Sequence, residues 1–141
     1  MKEYNLQRFI KAQDRDYETA LSEIWNGRKR SHWIWYILPQ FKDFAHSRIA
    51  EYYGIEDKRE AEAYLQNPVL GQRIREISKT LLRHKGKDIK EIFGELDAGK
   101  VRSCMTMFDY LSPNDVFGEV LDAFYDGVRG GRTLKVIKRE P

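Results

Sequence analysis

The stretch 33–38, Trp-Ile-Trp-Tyr-Ile-Leu, is the longest apolar run in the chain and the one segment that reads as a β-strand. A lone strand has no partner and cannot make a sheet. Six apolar residues also fall far short of the roughly 20 that a membrane-spanning helix needs. At least one face of the run must therefore be core. Elsewhere apolar residues recur at the three- and four-residue spacing of helix faces. The expected fold is all-α, a single compact array of about six to eight helices with residues 1–141 as one domain. At 141 residues and 41% hydrophobic content the chain can fill one core without disulfides or metal staples.

Helix punctuation divides the chain. Leu6, Phe9 and Ile10 predict a short first helix. Asp14 and Asp16 offer N-caps for a second, with Tyr17, Leu21, Ile24 and Trp25 on one side and Gly27 as its stop. A helix is expected over 43–53, ended by Gly54, and another over 58–66, packing through Ala61 and Leu65. Asn67-Pro68 is a cap followed by proline at the first helical position, and Leu70, Ile74, Ile77, Leu81 and Leu82 continue as a stripe until Gly86. Asp88 caps a short turn holding Ile89, Ile92 and Phe93. Asp97 is expected to cap the next helix, with Val101, Cys104, Met105, Phe108 and Leu111 inward. Ser112-Pro113-Asn114-Asp115 starts another, striped by Val116, Val120, Leu121, Phe124 and Val128. Gly130-Gly131 breaks the pattern before a last short element over 133–138.

Charge and cysteine content narrow the function classes. With 25 basic and 22 acidic residues the net charge is only +3, and no broad basic stripe appears, which disfavours nucleic acid. The single cysteine, Cys104, can form no internal disulfide and fits a reducing compartment. The opening MKEYNLQRFI has no signal-peptide h-region, so a cytoplasmic protein with no membrane segment is expected. No metal-ligand spacing, phosphate loop or nucleophile elbow occurs, and neither a metal nor a cofactor is expected. Cys104 falls mid-helix on an apolar stripe, where a small buried hydrophobe is the better reading than a nucleophile.

The chemistry concentrates in GRKRSHWIWYILPQF, residues 27–41. Read as a strand, it puts Trp33, Trp35 and Ile37 on one face; read as a helix, it clusters His32, Trp35, Tyr36 and Pro39. Either way one face is core, and the other is either more core or an aromatic wall left open for stacking. Ser31, His32 and Gln40 bracket the aromatics with hydrogen-bonding groups, the make-up of a small-ligand pocket. A second lead is LDAGKVRSCMT, residues 96–106, where Lys100, Arg102 and Ser103 follow a helix start and could hold a phosphate or carboxylate. The alternative is that Asp97 satisfies the helix amides itself and Arg102 pairs with Asp97 or Asp109. VRGGRT gives a third, a glycine nest beside Arg132, against the plainer reading of a helix stop and turn.

Several ordered motifs, SHWIWYILPQ, EAEAYLQNPVLGQRI, IFGELDAGKVRSCMTMF and GGRTLKVI, carry a resemblance across residues 31–137. Together they resemble the domain-of-unknown-function family numbered 1810. The resemblance implies a mostly helical single domain, with no activity attached. The family usually has a glycine-rich GLGxS after the Pro-Gln pair; here FKDFAHS stands there, with Ser47 matching and the glycines missing.

Two functions follow. The first is a site for a nucleotide-like or other anionic small molecule. Trp33 and Trp35 stack a ring and Gln40 reads its edge. Arg48, Arg102 and Ser103, with Lys100 and Arg132 near, hold the anion. Any reaction there would be hydrolysis or transfer at the anionic group, with His32 as proton carrier, against the plainer reading of a satisfied, partly buried histidine. It requires Trp33, Trp35 and Arg102 to converge on one cleft. The second is a non-catalytic protein-interaction domain, with the aromatic segment as core.

Overall fold

The apolar run folds as one turn of helix, not as a strand, and the amides of Tyr36, Ile37 and Leu38 bond within the turn. The computed structural model describes residues 3–139. Among them eight α-helices and one 3-10 turn follow in order: α1 (Gln7–Trp25), α2 (Ile34–Ile37), the 3-10 turn (Lys42–Phe44), α3 (Arg48–Tyr53), α4 (Lys58–Gln66), α5 (Pro68–Leu82), α6 (Ile89–Leu111), α7 (Val116–Tyr125) and α8 (Gly131–Lys138). No strand occurs among the described residues, only one isolated bridge between Phe41 and Ile55.

Most starts obey the cap chemistry. The side chains of Ser47, Asp57, Asn67, Asp88 and Asp115 each accept a backbone N–H of the turn they open, at 2.7–3.2 Å. Five expectations are corrected. Asp14 and Asp16 cap nothing: 10–16 holds no glycine or proline, so the two expected helices run on as α1. Asp97 is not a cap either, because the break falls at Gly94, whose φ of 82° and ψ of 168° interrupt α6 three residues earlier. A Cβ at Gly94 would meet no atom within 4 Å, so the requirement for glycine there is torsional. Pro113 lies in the turn before α7, and Asp115 is the cap. Gly130 and Gly131 start α8 instead of ending a helix. Trp25 and Val128, expected inward, are 53% and 55% exposed.

The core is an aromatic chain running through four helices. Phe9 of α1 meets Tyr64 of α4 edge-on at 5.1 Å, Tyr64 stacks on Phe108 of α6 at 5.3 Å, and Phe108 meets Phe117 of α7 at 5.5 Å. Gln13 secures it, donating to the Tyr36 carbonyl and to the Tyr64 hydroxyl oxygen at 2.8 and 2.9 Å. Arg8 ties α1 to α3 and α4, donating to the Tyr52 and Gly54 carbonyls and pairing with buried Glu60 at 2.8 Å.

Beside this core, α2, the 40–45 segment and α3 form a small flap. The bridge holds it: Lys42 N–H donates to the Ile55 carbonyl at 2.8 Å and Ile55 N–H to the Gln40 carbonyl at 2.9 Å. The chain passes so close that a Cβ on Gly54 would lie 2.6 Å from the Lys42 Cα. The flap packs on α1 through α2, and Lys100 of α6 borders the hollow beside it.

Candidate functional site

The two indoles of the aromatic stretch part company. Residues two apart in a helical turn point about 200° away from each other. Trp33 turns inward and is 1% exposed, edge-on to Phe93 at 6.3 Å. Its indole N–H donates to Glu23 at 2.8 Å. The same carboxylate accepts from Arg30 N–H at 2.8 Å, from Ser31 N–H at 3.0 Å and from the Ser31 hydroxyl at 2.6 Å. Burial alone would push the Glu23 carboxyl up, but these four hydrogen bonds outweigh it and hold it below the usual range. Trp33 and Ser31, expected as ligand contacts, are therefore spent on the fold.

Trp35 is half-buried and faces a hollow. The walls are Ile34 and Trp35 of α2, Gln40 and Ala45 of the connecting segment, Ala50 and Tyr53 of α3, and Lys100 of α6. The space totals about 290 Å³, of which only about 10 Å³ accepts the centre of a water-sized sphere. The hollow therefore holds about one water, and anything larger must sit at its mouth. The Gln40 side chain is half-buried and makes no hydrogen bond among the described residues.

The charge at the mouth comes from α6. Lys100 Nζ lies 6.0 Å from the Trp35 ring centre and 3.1 Å from Asp97 Oδ1. Asp97 Oδ2 takes Lys29 at 2.9 Å, and Lys29 Nζ in turn lies 5.1 Å from the Trp33 ring. Burial would raise the Asp97 carboxyl, but the two lysines outweigh it and hold it low. One turn further along α6, Ser103 Oγ and Thr133 Oγ1 are 2.7 Å apart. The neighbouring Arg132 guanidinium lies 5.0 Å from the ring of Phe44, the residue before Ala45. Arg48 is exposed at the first position of α3.

Arg102 does not join them. It is two residues from Lys100, hence on the opposite side of α6. Its charge acts on Tyr125 of α7, and its guanidinium makes no hydrogen bond or ion pair among the described residues. The convergence of Trp33, Trp35 and Arg102 on one cleft is overturned. Trp35, Gln40 and Lys100 meet instead, with Ser103 one turn along α6 and Arg132 on α8 over Phe44. His32 is exposed, outside the hollow, and its ring has no hydrogen-bond partner among the described residues.

Other groups prove structural. Cys104 is fully buried and burial pushes its thiol well up, the opposite of an activated nucleophile. His84 Nε2 sits 2.6 Å from the Ile24 carbonyl, closing the end of α1. Sequence reasoning missed Glu23, Lys29 and Asp97 as a linked set. Lys29 looked like one of three solvated cations, and no local signal pairs it with a carboxylate 68 positions on. Among the described residues no cluster of His, Cys, Asp and Glu could hold a metal ion, and no helix is long and apolar enough to cross a membrane.

A larger opening, in which about 780 Å³ accepts the centre of a water-sized sphere, lies between α5 and α7. Its basic side carries Arg75, Lys79 and Arg83, and its acidic side Asp115 and Glu119. Much of this is internally satisfied: Arg75 pairs with Asp115 at 3.0 Å, Glu76 accepts from Tyr17 at 2.5 Å, and Arg83 lies 3.7 Å over the Trp25 ring.

A family model described as a protein of unknown function, DUF1810, matches residues 3–137. The chain is also similar to a crystal structure of the conserved hypothetical protein Rv1873 from Mycobacterium tuberculosis. The two are 37% identical, the match covers 96% of this chain and 97% of that one, and the TM-score is 0.92. No curated protein matches.

Proposed function

The chain belongs to the DUF1810 family of proteins of unknown function, and we propose that within that frame it binds an anionic small molecule carrying a planar ring, at the mouth of the hollow between α2, α3 and α6. One observation carries this reading: Trp35 and Gln40 share the hollow with Lys100, a cation 60 positions away in sequence, 6.0 Å from the indole. A half-exposed indole can stack a ring, worth about 1–3 kcal/mol by analogy with base–aromatic stacking. The unpaired Gln40 amide offers a donor and an acceptor to a ring edge. The ammonium of Lys100 supplies the charge for a phosphate or carboxylate, with Arg132 and Arg48 on neighbouring elements as further cations. Nucleotides and related phosphate esters combine these features. The site is read as a binding site; His32 stands apart from it, and no proton-transfer role is assigned to it.

The test is a thermal-shift series with nucleoside monophosphates, sugar phosphates and the matching neutral nucleosides. At ten times Kd a ligand that binds only the native state adds about 1.4 kcal/mol, or about 4 °C for a domain of this size. A phosphate-bearing ring compound should raise the melting point. Lys100→Ala and Trp35→Ala should each remove the shift, and Arg102→Ala should leave it intact. Equal shifts in Lys100→Ala and the parent sink the proposal.

The larger α5–α7 opening favours a second reading, a protein-interaction surface. Trp25, 53% exposed at its edge, is the observation behind it. If the phosphate compounds give no shift and Trp25→Ala abolishes association with a partner, this reading replaces the first.

A further inference from the structure

The Lys29–Asp97–Lys100 cluster does more than decorate the mouth of the hollow. Exposure falls steadily inward: the Lys100 side chain is 34% exposed, Asp97 16% and Lys29 9%. Asp97 spends one oxygen on each lysine, Oδ2 on Lys29 at 2.9 Å and Oδ1 on Lys100 at 3.1 Å. Two ammonium groups share one carboxylate, so the cluster keeps a single net positive charge. Lys29 lies inside, over the ring of buried Trp33. Only Lys100 can present the surplus charge to a molecule arriving from solvent. An ammonium has three N–H donors, and Asp97 takes one of those on Lys100, leaving two. A lysine head on a four-carbon stem is otherwise mobile. The bond to Asp97, anchored from behind by Lys29, fixes that head beside Trp35.

We propose that Asp97 is the positioning residue of the anion site. It holds Lys100 where a ligand's phosphate or carboxylate meets it, and the ligand class is a ring compound with one terminal anionic group. This rests on the binding site proposed above. Lys29 contributes by immobilising Asp97, not by touching the ligand.

Simple charge counting and positioning predict opposite signs, which makes the idea testable. Asp97→Asn removes a negative charge near the anion. Counting charges, the variant should bind an anion more tightly; with Asp97 as positioner, it should bind less tightly. The measurement is calorimetric titration with a nucleoside monophosphate and its neutral nucleoside. Asp97→Asn should weaken the monophosphate about tenfold, the scale of one charge-assisted hydrogen bond, with little change for the nucleoside. Because that variant leaves Lys29 without its counter-charge and keeps an amide oxygen that can still accept from Lys100, the double variant Lys29→Met with Asp97→Ala is the decisive one. It relieves the stranded inner cation and keeps the parent's single net charge at the mouth, yet still lacks the tether. It should remain about tenfold weaker than the parent, and Asp97→Glu should recover part of the loss. If the double variant binds the monophosphate as tightly as the parent, the positioning role is wrong while the site stands. If the parent binds neither compound, the site itself is wrong and the positioning role falls with it.

Discussion

Trp33 and Trp35 are separated by one residue, yet one ring is sealed and the other is half open. Around Trp33 the indole N–H and the Ser31 hydroxyl are both committed to Glu23. Glu23 takes four donors, and the indole N–H is among them. Around Trp35 the commitments stop short: the Gln40 side chain has no hydrogen-bond partner among the described residues, and Lys100 has one carboxylate oxygen for its three donors. Residue type cannot separate these two surroundings. What separates them is whether hydrogen-bonding capacity is used up by the chain or left over, and leftover capacity next to a half-exposed ring is what a ligand can use.

The contrast can be broken most forcefully at Trp33. Trp33→Ala removes a fully buried indole and strands part of the Glu23 acceptor set, and should cost about 3–5 kcal/mol. Trp35→Ala, at a half-buried position, should cost about 1–2 kcal/mol. Urea denaturation of both variants measures the difference. Comparable losses would mean that both rings serve the core alike and that the open side of Trp35 is illusory.

A smaller effect should come from Glu23→Gln, at about 1–2 kcal/mol near neutral pH, since an amide oxygen replaces only part of a carboxylate's acceptor capacity. Its pH dependence has a definite sign. The Glu23 carboxyl is held below its usual value in the fold. The stability it adds is therefore present above the unfolded pKa, about 4.3, and is lost as pH falls through the lower folded value. Asp16, Asp97 and Asp115 are shifted the same way. The parent should lose stability on acidification, and its advantage over Glu23→Gln should shrink below about pH 4. An advantage that grows with acid would contradict the hydrogen-bond account of Glu23.

The contrast also explains what the sequence could say. The helical architecture was legible because it depends on local signals: stripes such as Leu70, Ile74, Ile77 and Leu81, and caps such as Asn67 and Asp115, act within a turn or two. Where a local signal had rivals, it misled. Asp14 and Asp16 are good caps only if a helix begins there, and the uninterrupted α1 face from Phe9 to Ile24 overrode them. The candidate site was legible in residue type and not in membership. Trp35, Gln40 and Lys100 were all candidates, but so were Trp33, Ser31 and Arg102. Excluding Ser31 and Trp33 requires knowing that Glu23 folds back onto the loop that carries them, a tertiary fact.

Arg102 is different, since helix periodicity alone excludes it once Lys100 faces the flap. Arg102→Ala tests that geometry with the smallest expected effect. The guanidinium has no hydrogen bond or ion pair among the described residues, so its loss should change stability by no more than about 0.5 kcal/mol. It should nevertheless leave a mark on α7. Burial pushes the Tyr125 phenol up, its hydroxyl donates to the Ala98 carbonyl at 2.6 Å, and the Arg102 charge is the one influence that draws it back down. Without Arg102 the folded phenol should resist ionisation further. A phenol kept neutral in the fold favours the native state only until the unfolded chain's tyrosine begins to ionise, about pH 10, and the bias against the native state grows above that point. Alkaline unfolding of Arg102→Ala should therefore begin at slightly lower pH than in the parent, with melting near pH 7 and ligand-induced shifts unchanged. A variant that instead loses the ligand-induced shift, with Tyr125 untouched, would put Arg102 back on the side of α6 that faces Trp35.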